Sequence, residues 1–584
     1  MTDGAPAREA GDSYAQRPAL RGTRHMAAAG HYGAAHAAFA VLEAGGNAVD
    51  AAVAGGIALG VLQPDIVNVA GVAPIMVRMR GGPVFTIAGL GPWPAATDPE
   101  RFLREFAGRI PEGVLRTVVP AAPDAWITAL ARFGTMRFGE AAAAAIRFAA
   151  EGFPVYPLLA DMIAGHAGEY ARWPSNAAIF LPGGAPPRVG DIFVQADLAR
   201  SLRYMADEEA AALARGADRA AGLEAARRAF YRGDIARAIV KFHRQEGGWL
   251  SAADLETYRS PVERAVRIRF AGTDVYTCGA WCQGPVLGQA LNILDAAALS
   301  AAGHNSAEYL HTLVEALKLA FADREAFYGD PDHVDVPLER LLDPAYGAAR
   351  RDLIDPGHAW PELPPAGRPG GQAGLPHLTP RLPGVPAGPP RDTSYICTVD
   401  RWGNAVSATP SDVSSDTPVV PGTGLCPSSR GSQSWTDPGH PSRLAPGKRP
   451  RLTPNPAMAV AEGLFVLPFG TPGGDVQNQA MLQAFLNMRL FGMDPQEAVE
   501  QPRAATYSFP DSFEPHDYFP GRLCLEGRIA AATGGELEAL GHRITWWPER
   551  IWRAGAVCAI HADQQSGVLT AGADPRRASY AVGW

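Results

Sequence analysis

Cysteine is scarce in this 584-residue chain: Cys278, Cys282, Cys397, Cys426, Cys524 and Cys558 are the whole complement, and only the first two lie close together. Such sparse thiols make no disulfide framework. A single Cys-x3-Cys pair without a second is a weak zinc signal, so buried free thiols in a reducing, cytoplasmic setting are expected. An excess of one charge sign is also missing. With 52 basic and 60 acidic residues the net charge is −8 and no long basic run occurs, which argues against nucleic acid or an anionic membrane as a partner. The N-terminal segment MTDGAPAREAGDSYAQRPALRGTRH has no apolar core of a signal peptide. The apolar stretch 45–64 is broken by Asp50 and glycine pairs, and so reads as a buried helix rather than a membrane span. Phosphate-binding loops of the Walker type, Gly-x-Ser-x-Gly elbows and His-Glu-x-x-His helices are absent, and the 14 histidines are scattered. No metal or cofactor is expected.

What the chain has in quantity is glycine and proline, 64 and 52 residues, about a fifth of the total against about 12% in an average protein. With 47% hydrophobic residues the chain still has ample core-forming material. Helical periodicity is read at 35–44, 47–62, 138–151, 196–232 and 284–325, and strand composition at 266–279. From Pro356 to Pro390, 11 of 35 residues are Pro and 7 are Gly, a density that predicts a long exposed loop or flexible linker. Directly after it, TSYICTVD (393–400) and NAVSATPS (404–411) read as a hairpin turning around Trp402. MAVAE and LFVLPFG form a second hairpin that ends in Gly470-Thr471-Pro472-Gly473-Gly474. A helix follows, with Asp475 as its expected N-cap. Helices, then strands, then a helix and further strands argue for an α+β sandwich with sheets inside helical layers.

The junction between linker and strand is where chemistry is read. A threonine hydroxyl needs an adjacent base, and a free N-terminal amine with a pKa of about 7.7–8.0 can serve. Cleavage between Asp392 and Thr393 would create that amine, with Thr393 Oγ first attacking the Asp392 carbonyl. The plain alternative is a threonine that merely opens a strand. If the hairpin is centred on Trp402, residues equidistant from it face each other, so Thr393 lies opposite Ser411 and Tyr395 opposite Thr409.

The chain also resembles the γ-glutamyltransferase family of N-terminal-nucleophile hydrolases. The matching pieces run in family order: GGNAVDAAVAGGIALGVLQP (45–64), FGTM with AAEGFPV (133–155), GGWLSAADLETY (247–258), ADREAFYGDPD (322–332), DTSYICTVDRWGNAVSAT (392–409), VVPGTG (419–424), GKRPRLTPNPAM (447–458), GTPGG (470–474) and GADPR (572–576). The resemblance implies a four-layer αββα sandwich formed jointly by a large subunit, 1–392, ending in the linker 356–390, and a small subunit, 393–584. Both come from one precursor, and a homodimer of processed heterodimers is an expected assembly. It implies Thr393 as nucleophile, Ser411 as the hydroxyl bonded to it, Thr409 as a further assisting group, and the Gly473 and Gly474 amides as oxyanion donors. The substrate class implied is a small-molecule amide of γ-glutamyl type, hydrolysed or transferred through an acyl-enzyme.

Departures from the family pattern concentrate in substrate recognition. The family's carboxylate-gripping arginine falls near Leu90, two head-group serines fall on Leu452 and Thr453, an asparagine falls on Val413, and the acidic residue that holds the α-amine falls on Gln433. Tyr395 stands where the family has histidine. Arg430, in CPSSRGSQSW, reads as a relocated carboxylate partner, or else as a surface arginine. Together with Ser428, Ser429, Gln433, Thr453 and Tyr395 it makes up the candidate substrate-binding set. The pattern is similar to the glutaryl-acylase and oxamate-amidohydrolase branches, so the expected acyl group bears a carboxylate. An ordinary glutathione hydrolase and an unprocessed, non-catalytic scaffold are the competing readings.

Overall fold

The computed structural model describes residues 15–371 and 392–584. Two seven-stranded sheets form its centre. The first is ordered Tyr580–Gly583, Met26–Ala29, Ile396–Val399, Ala405–Ala408, Ile75–Arg78, Val84–Ile87 and Val262–Arg264; the second Leu20–Gly22, Leu569–Ala573, Cys558–Asp563, Phe465–Gly470, Ala457–Ala461, Thr273–Thr277 and Val266–Phe270. Strand alternation explains the layering. Cys397, Val399 and Ala405 face Met458, Val466, Cys558 and Ile560 in a core between the sheets. Ile396, Val406 and Ala408 point the other way, into a core shared with the helices Tyr32–Glu43, Ala48–Leu62 and Ala122–Phe133. On the far side of the second sheet, Ala457, Ala459, Leu467 and Phe469 pack on the helices Pro285–Ile293, Ala307–Phe327 and Val476–Leu490. The result is the expected helix, sheet, sheet, helix stack.

The helix Ala48–Leu62 is buried along its whole length, which accounts for its apolar sequence. Among the described residues no helix is long and apolar enough to cross a membrane. Gly55 lets it lie directly on the hairpin: a Cβ there would come within 2.2 Å of Ile396 Cδ1. Asp50 closes a capping box with Asn47 and also accepts bonds from the Thr135 and Met136 amides and the Thr135 hydroxyl, at 2.8, 3.0 and 2.7 Å. The charge that interrupts the apolar run is thus a buried clamp joining this helix to the connection between the helices Ala122–Phe133 and Phe138–Glu151.

Two of the long helical expectations are broken in the structure. The 196–232 region divides into Ala196–Ala214 and Arg219–Tyr231 around Gly216, whose φ of 91° ends the first helix; the 284–325 region divides into three helices. All six cysteines are buried and free.

The Pro-rich stretch is corrected in part. Its irregular backbone is as expected, but residues 356–371 are tied down rather than loose. Ala359 N donates to Leu540 O (2.7 Å), Trp360 N to Glu315 (3.1 Å) and Gly367 N to Asp323 (2.7 Å), while Leu363 enters the second helical core. Proline prevents regular pairing without preventing docking through the remaining amides. The rest of the linker, 372–391, lies outside the described residues.

Replacing Asp50 by Ala should lower unfolding free energy by about 3 kcal/mol or more, since several buried donors lose their acceptor at about 1–3 kcal/mol each. Chemical denaturation of Asp50→Ala against wild type measures this.

Candidate active site

The hairpin 393–411 folds around Asp400, whose carboxylate accepts from the backbone of Trp402 (2.9 Å), Asn404 (3.0 Å) and Ala48 (2.9 Å) while Gly403 takes φ 84°. This turn sets the register: Ile396 pairs with Ala408, and the pairing runs on to a bridge between Thr393 and Ser411. Thr393 Oγ1 and Ser411 Oγ are 2.8 Å apart and both residues are buried. Ser411 is fixed from the other side by mutual backbone bonds with Val72, at 3.0 and 3.2 Å. Gln477 Nε2 also reaches Thr393 Oγ1, at 3.4 Å.

Asp392 remains joined to Thr393 and is buried. Its Oδ1 accepts from Thr393 N (2.8 Å), its Oδ2 lies 2.5 Å from Arg577 Nη1, and its carbonyl oxygen accepts from Ser411 Oγ (3.1 Å). Burial pushes the Asp392 carboxyl up from the ordinary aspartate pKa, with the neighbouring Arg577 opposing. Gly473 and Gly474 have φ 125° and 55°, conformations that favour glycine. They present backbone donors between the end of Phe465–Gly470 and the helix Val476–Leu490, where the helix N-terminus adds positive potential.

Asp475 does not cap that helix through its side chain. It pairs instead with the buried Arg324 and accepts from the Ser512 amide and hydroxyl, each at 2.7 Å. A nearby buried cation outcompetes local capping, because an ionised pair away from water is the stronger interaction. Gln283 supports the glycine pair, donating to Gly474 O and Thr453 O at 3.0 Å each.

Arg430 is buried, not a surface residue. It donates to Ser411 Oγ, contacts Gln433 Oε1 (3.4 Å) and Asp412 Oδ1 (3.5 Å), and stands 5.3 Å from the Phe513 ring centre. Gln433 donates in turn to Thr453 Oγ1 at 2.9 Å. Ser428 and Ser429 are one step removed: their hydroxyls hold Asp412 at 2.6 and 3.1 Å. Tyr395 is a correction to the candidate set. Its side chain points between the sheets, bonds Ser407 Oγ at 2.7 Å and packs against Gly470. Strand alternation carries it into the core, where an aromatic ring fills space that the backbone of Gly470 leaves open. Thr409 is buried beside the hairpin with no hydroxyl partner among the described residues, and makes no bond to Thr393.

Sequence reasoning missed Asp412, Gln477, Asp65 and Arg577. Asp412 has φ 133°, a strained conformation for a residue with a side chain; it turns the chain after Ser411 so that one carboxylate gathers Ser428, Ser429 and Arg430. Gln477 had a local signal: 477–479 is a polar run, Gln-Asn-Gln, in a helix that is buried from Val476 to Met488. Leu90 and Leu452, two of the positions at which the sequence departs from the family's head-group contacts, meet in one apolar cluster with Val72, Ala88, Cys278, Trp281 and Cys282.

A family model described as gamma-glutamyltranspeptidase matches residues 34–584. The chain is 33% identical to the acylase ACY 1 proenzyme of Pseudomonas sp. (strain SE83), over 98% of this chain and 96% of the relative. It is 30% identical to the oxamate amidohydrolase proenzyme of Klebsiella pneumoniae, over 96% and 99%. A crystal structure of cephalosporin acylase from Bacillus halodurans superposes with a TM-score of 0.82 at 27% identity, covering 100% of this chain and 99% of that one.

Asp412→Ala should leave Arg430 misdirected while the hairpin persists. Amidase turnover is expected to fall about tenfold or more, in line with loss of a charge-assisted contact, with the circular dichroism spectrum unchanged.

Proposed function

The chain belongs to the γ-glutamyltranspeptidase family of hydrolases and acyltransferases, and from that premise we propose a self-processing amidase in which Thr393 is the nucleophile. Cleavage of the Asp392–Thr393 bond divides the precursor into the large and small subunits. The freed amine takes the Thr393 hydroxyl proton as the hydroxyl attacks a substrate amide and returns it to the leaving amine. Ser411 orients the hydroxyl, the amides of Gly473 and Gly474 receive the oxyanion, and water or an amine resolves the acyl-enzyme.

The single observation that carries this reading is the 2.8 Å contact between Thr393 Oγ1 and Ser411 Oγ, at the end of the strand pair and beside the paired glycines. We further infer that the acyl group bears a carboxylate but needs no α-amine. Arg430 puts a buried guanidinium on Ser411, whereas Leu90 and Leu452 line an apolar wall and Gln433 offers no charge to an ammonium group. A zwitterionic glutamyl head would leave its amine unpaired there, a loss that buried sites discriminate strongly. The similarity to an acylase and an oxamate amidohydrolase, rather than to glutathione hydrolases alone, favours the same branch. Six free buried thiols are in keeping with a reducing compartment.

A panel of anilides tests the substrate class. Glutaryl anilide should be hydrolysed at a kcat/KM above that of γ-glutamyl anilide, and Arg430→Met should depress it by about a hundredfold. A clear preference for the γ-glutamyl compound would return the enzyme to the ordinary glutathione-hydrolase reading.

A further inference from the structure

Three groups around the scissile bond have no role in the mechanism above: the Asp392 side chain, Arg577 and Asp65. Arg577 is buried and anchored to Trp552 O through Nε and Nη2, at 3.2 and 2.9 Å, which leaves Nη1 directed at Asp392 Oδ2. It forms a receptor for one carboxylate, and Asp392 supplies that carboxylate from within the precursor.

Asp65 makes the occupancy conditional. It sits in the turn after the helix Ala48–Leu62, its carbonyl accepting from Ser414 N at 3.3 Å, and its buried Oδ1 has no hydrogen-bond partner among the described residues. Burial and the neighbouring Asp392 carboxylate raise its pKa to about 7, with Arg577 opposing. The other titratable groups facing it are the phenols of Tyr156 and Tyr170, which burial keeps neutral. In the precursor one guanidinium thus faces two carboxyl groups.

Maturation changes this balance. Attack by Thr393 Oγ forms a C–O bond to the Asp392 carbonyl carbon, breaks the C–N bond and moves the hydroxyl proton to the Thr393 nitrogen; water then cleaves the ester. Asp392 gains an α-carboxylate beside Asp65 and keeps only its link to the preceding segment. Added like charge in a buried site favours departure.

We propose that the Arg577 receptor vacated by Asp392 is a second carboxylate-binding site of the processed enzyme, next to the nucleophile and separate from Arg430. Its ligand class is a short aliphatic carboxylate. Within the precursor the carboxylate that fills it is separated from the attacked carbonyl by two carbons, the spacing of a succinyl chain. The inference rests on cleavage before Thr393, yet its test does not need cleavage.

Two full-length uncut chains are compared, Thr393→Ala and Asp392→Gly/Thr393→Ala, the second lacking the atoms of one acetate ion. Calorimetric titration with sodium acetate, against sodium chloride at equal ionic strength, should show saturable binding to the double variant and none to Thr393→Ala. Adding Arg577→Met should abolish that binding. A carboxylate in the receptor favours protonated Asp65, whose pKa of about 7 beside the Asp392 carboxylate falls when the receptor is empty, so affinity should be highest in acid, weaken by up to about tenfold per unit as pH rises towards 7 and level off above it. Asp65→Asn should remove the pH dependence. Heat-denaturation midpoints of all four chains verify folding, and if Asp392→Gly unfolds the chain, Asp392→Ala with formate repeats the comparison. No acetate or formate binding to a folded, vacated chain, or binding unaffected by Arg577→Met, would overturn the inference. A Thr393→Ala chain that is still cut would instead overturn the nucleophile reading and leave the receptor standing.

Discussion

The pairing of Thr393 with Ser411 is the constraint on which the site depends. Two hydroxyls 2.8 Å apart at the end of a strand pair can be held there only if the whole hairpin keeps its register, since a one-residue slip would turn Thr393 to the opposite face. The Asp400 turn fixes that register at one end, and Val72, bonded to Ser411 through both backbone groups, fixes it at the other. Neighbouring strands on both sides place the hairpin in the interior of its sheet, where fraying is least available.

The second half of the site comes from the other sheet. The strand Phe465–Gly470 delivers the glycine pair, and the helix after it is held by Arg324 and Gln283 rather than by a conventional cap. Buried polar groups of this kind add rigidity only when each finds a partner. Gln283 satisfies this by donating to two carbonyls and accepting from Arg324. Around this frame Arg430 approaches from the loop after the hairpin, while Leu90 and Leu452 are buried with Trp281 in an apolar cluster.

Much of this was legible from residues alone. The hairpin centred on Trp402 follows from alternation and turn composition, and it places Ser411 opposite Thr393. The layered sheets follow from strands buried on both faces. What the sequence could not display was competition among distant partners. Asp475 resembles an N-cap because it stands before a helix, but Arg324, 151 positions away, takes its carboxylate. Tyr395 resembles a site residue because it is two places from Thr393 and shares its strand face, yet its ring is taken up deeper between the sheets by Ser407 and Gly470. Asp412 and Arg577 act through contacts set by tertiary folding, and neither has a local pattern that distinguishes it from an ordinary charged residue. Proline content in 356–371 predicted irregular backbone correctly but not its docking, since docking depends on acceptors from Glu315, Asp323 and Leu540.

Peptide mass mapping of enzyme quenched during turnover of a glutaryl anilide tests the central claim most directly. The account predicts an acyl mass increment on the peptide that begins Thr393-Ser394-Tyr395, on the hydroxyl of Thr393 and with its amine free. An increment on any other residue, or turnover by a chain in which Asp392 and Thr393 remain joined, would contradict it.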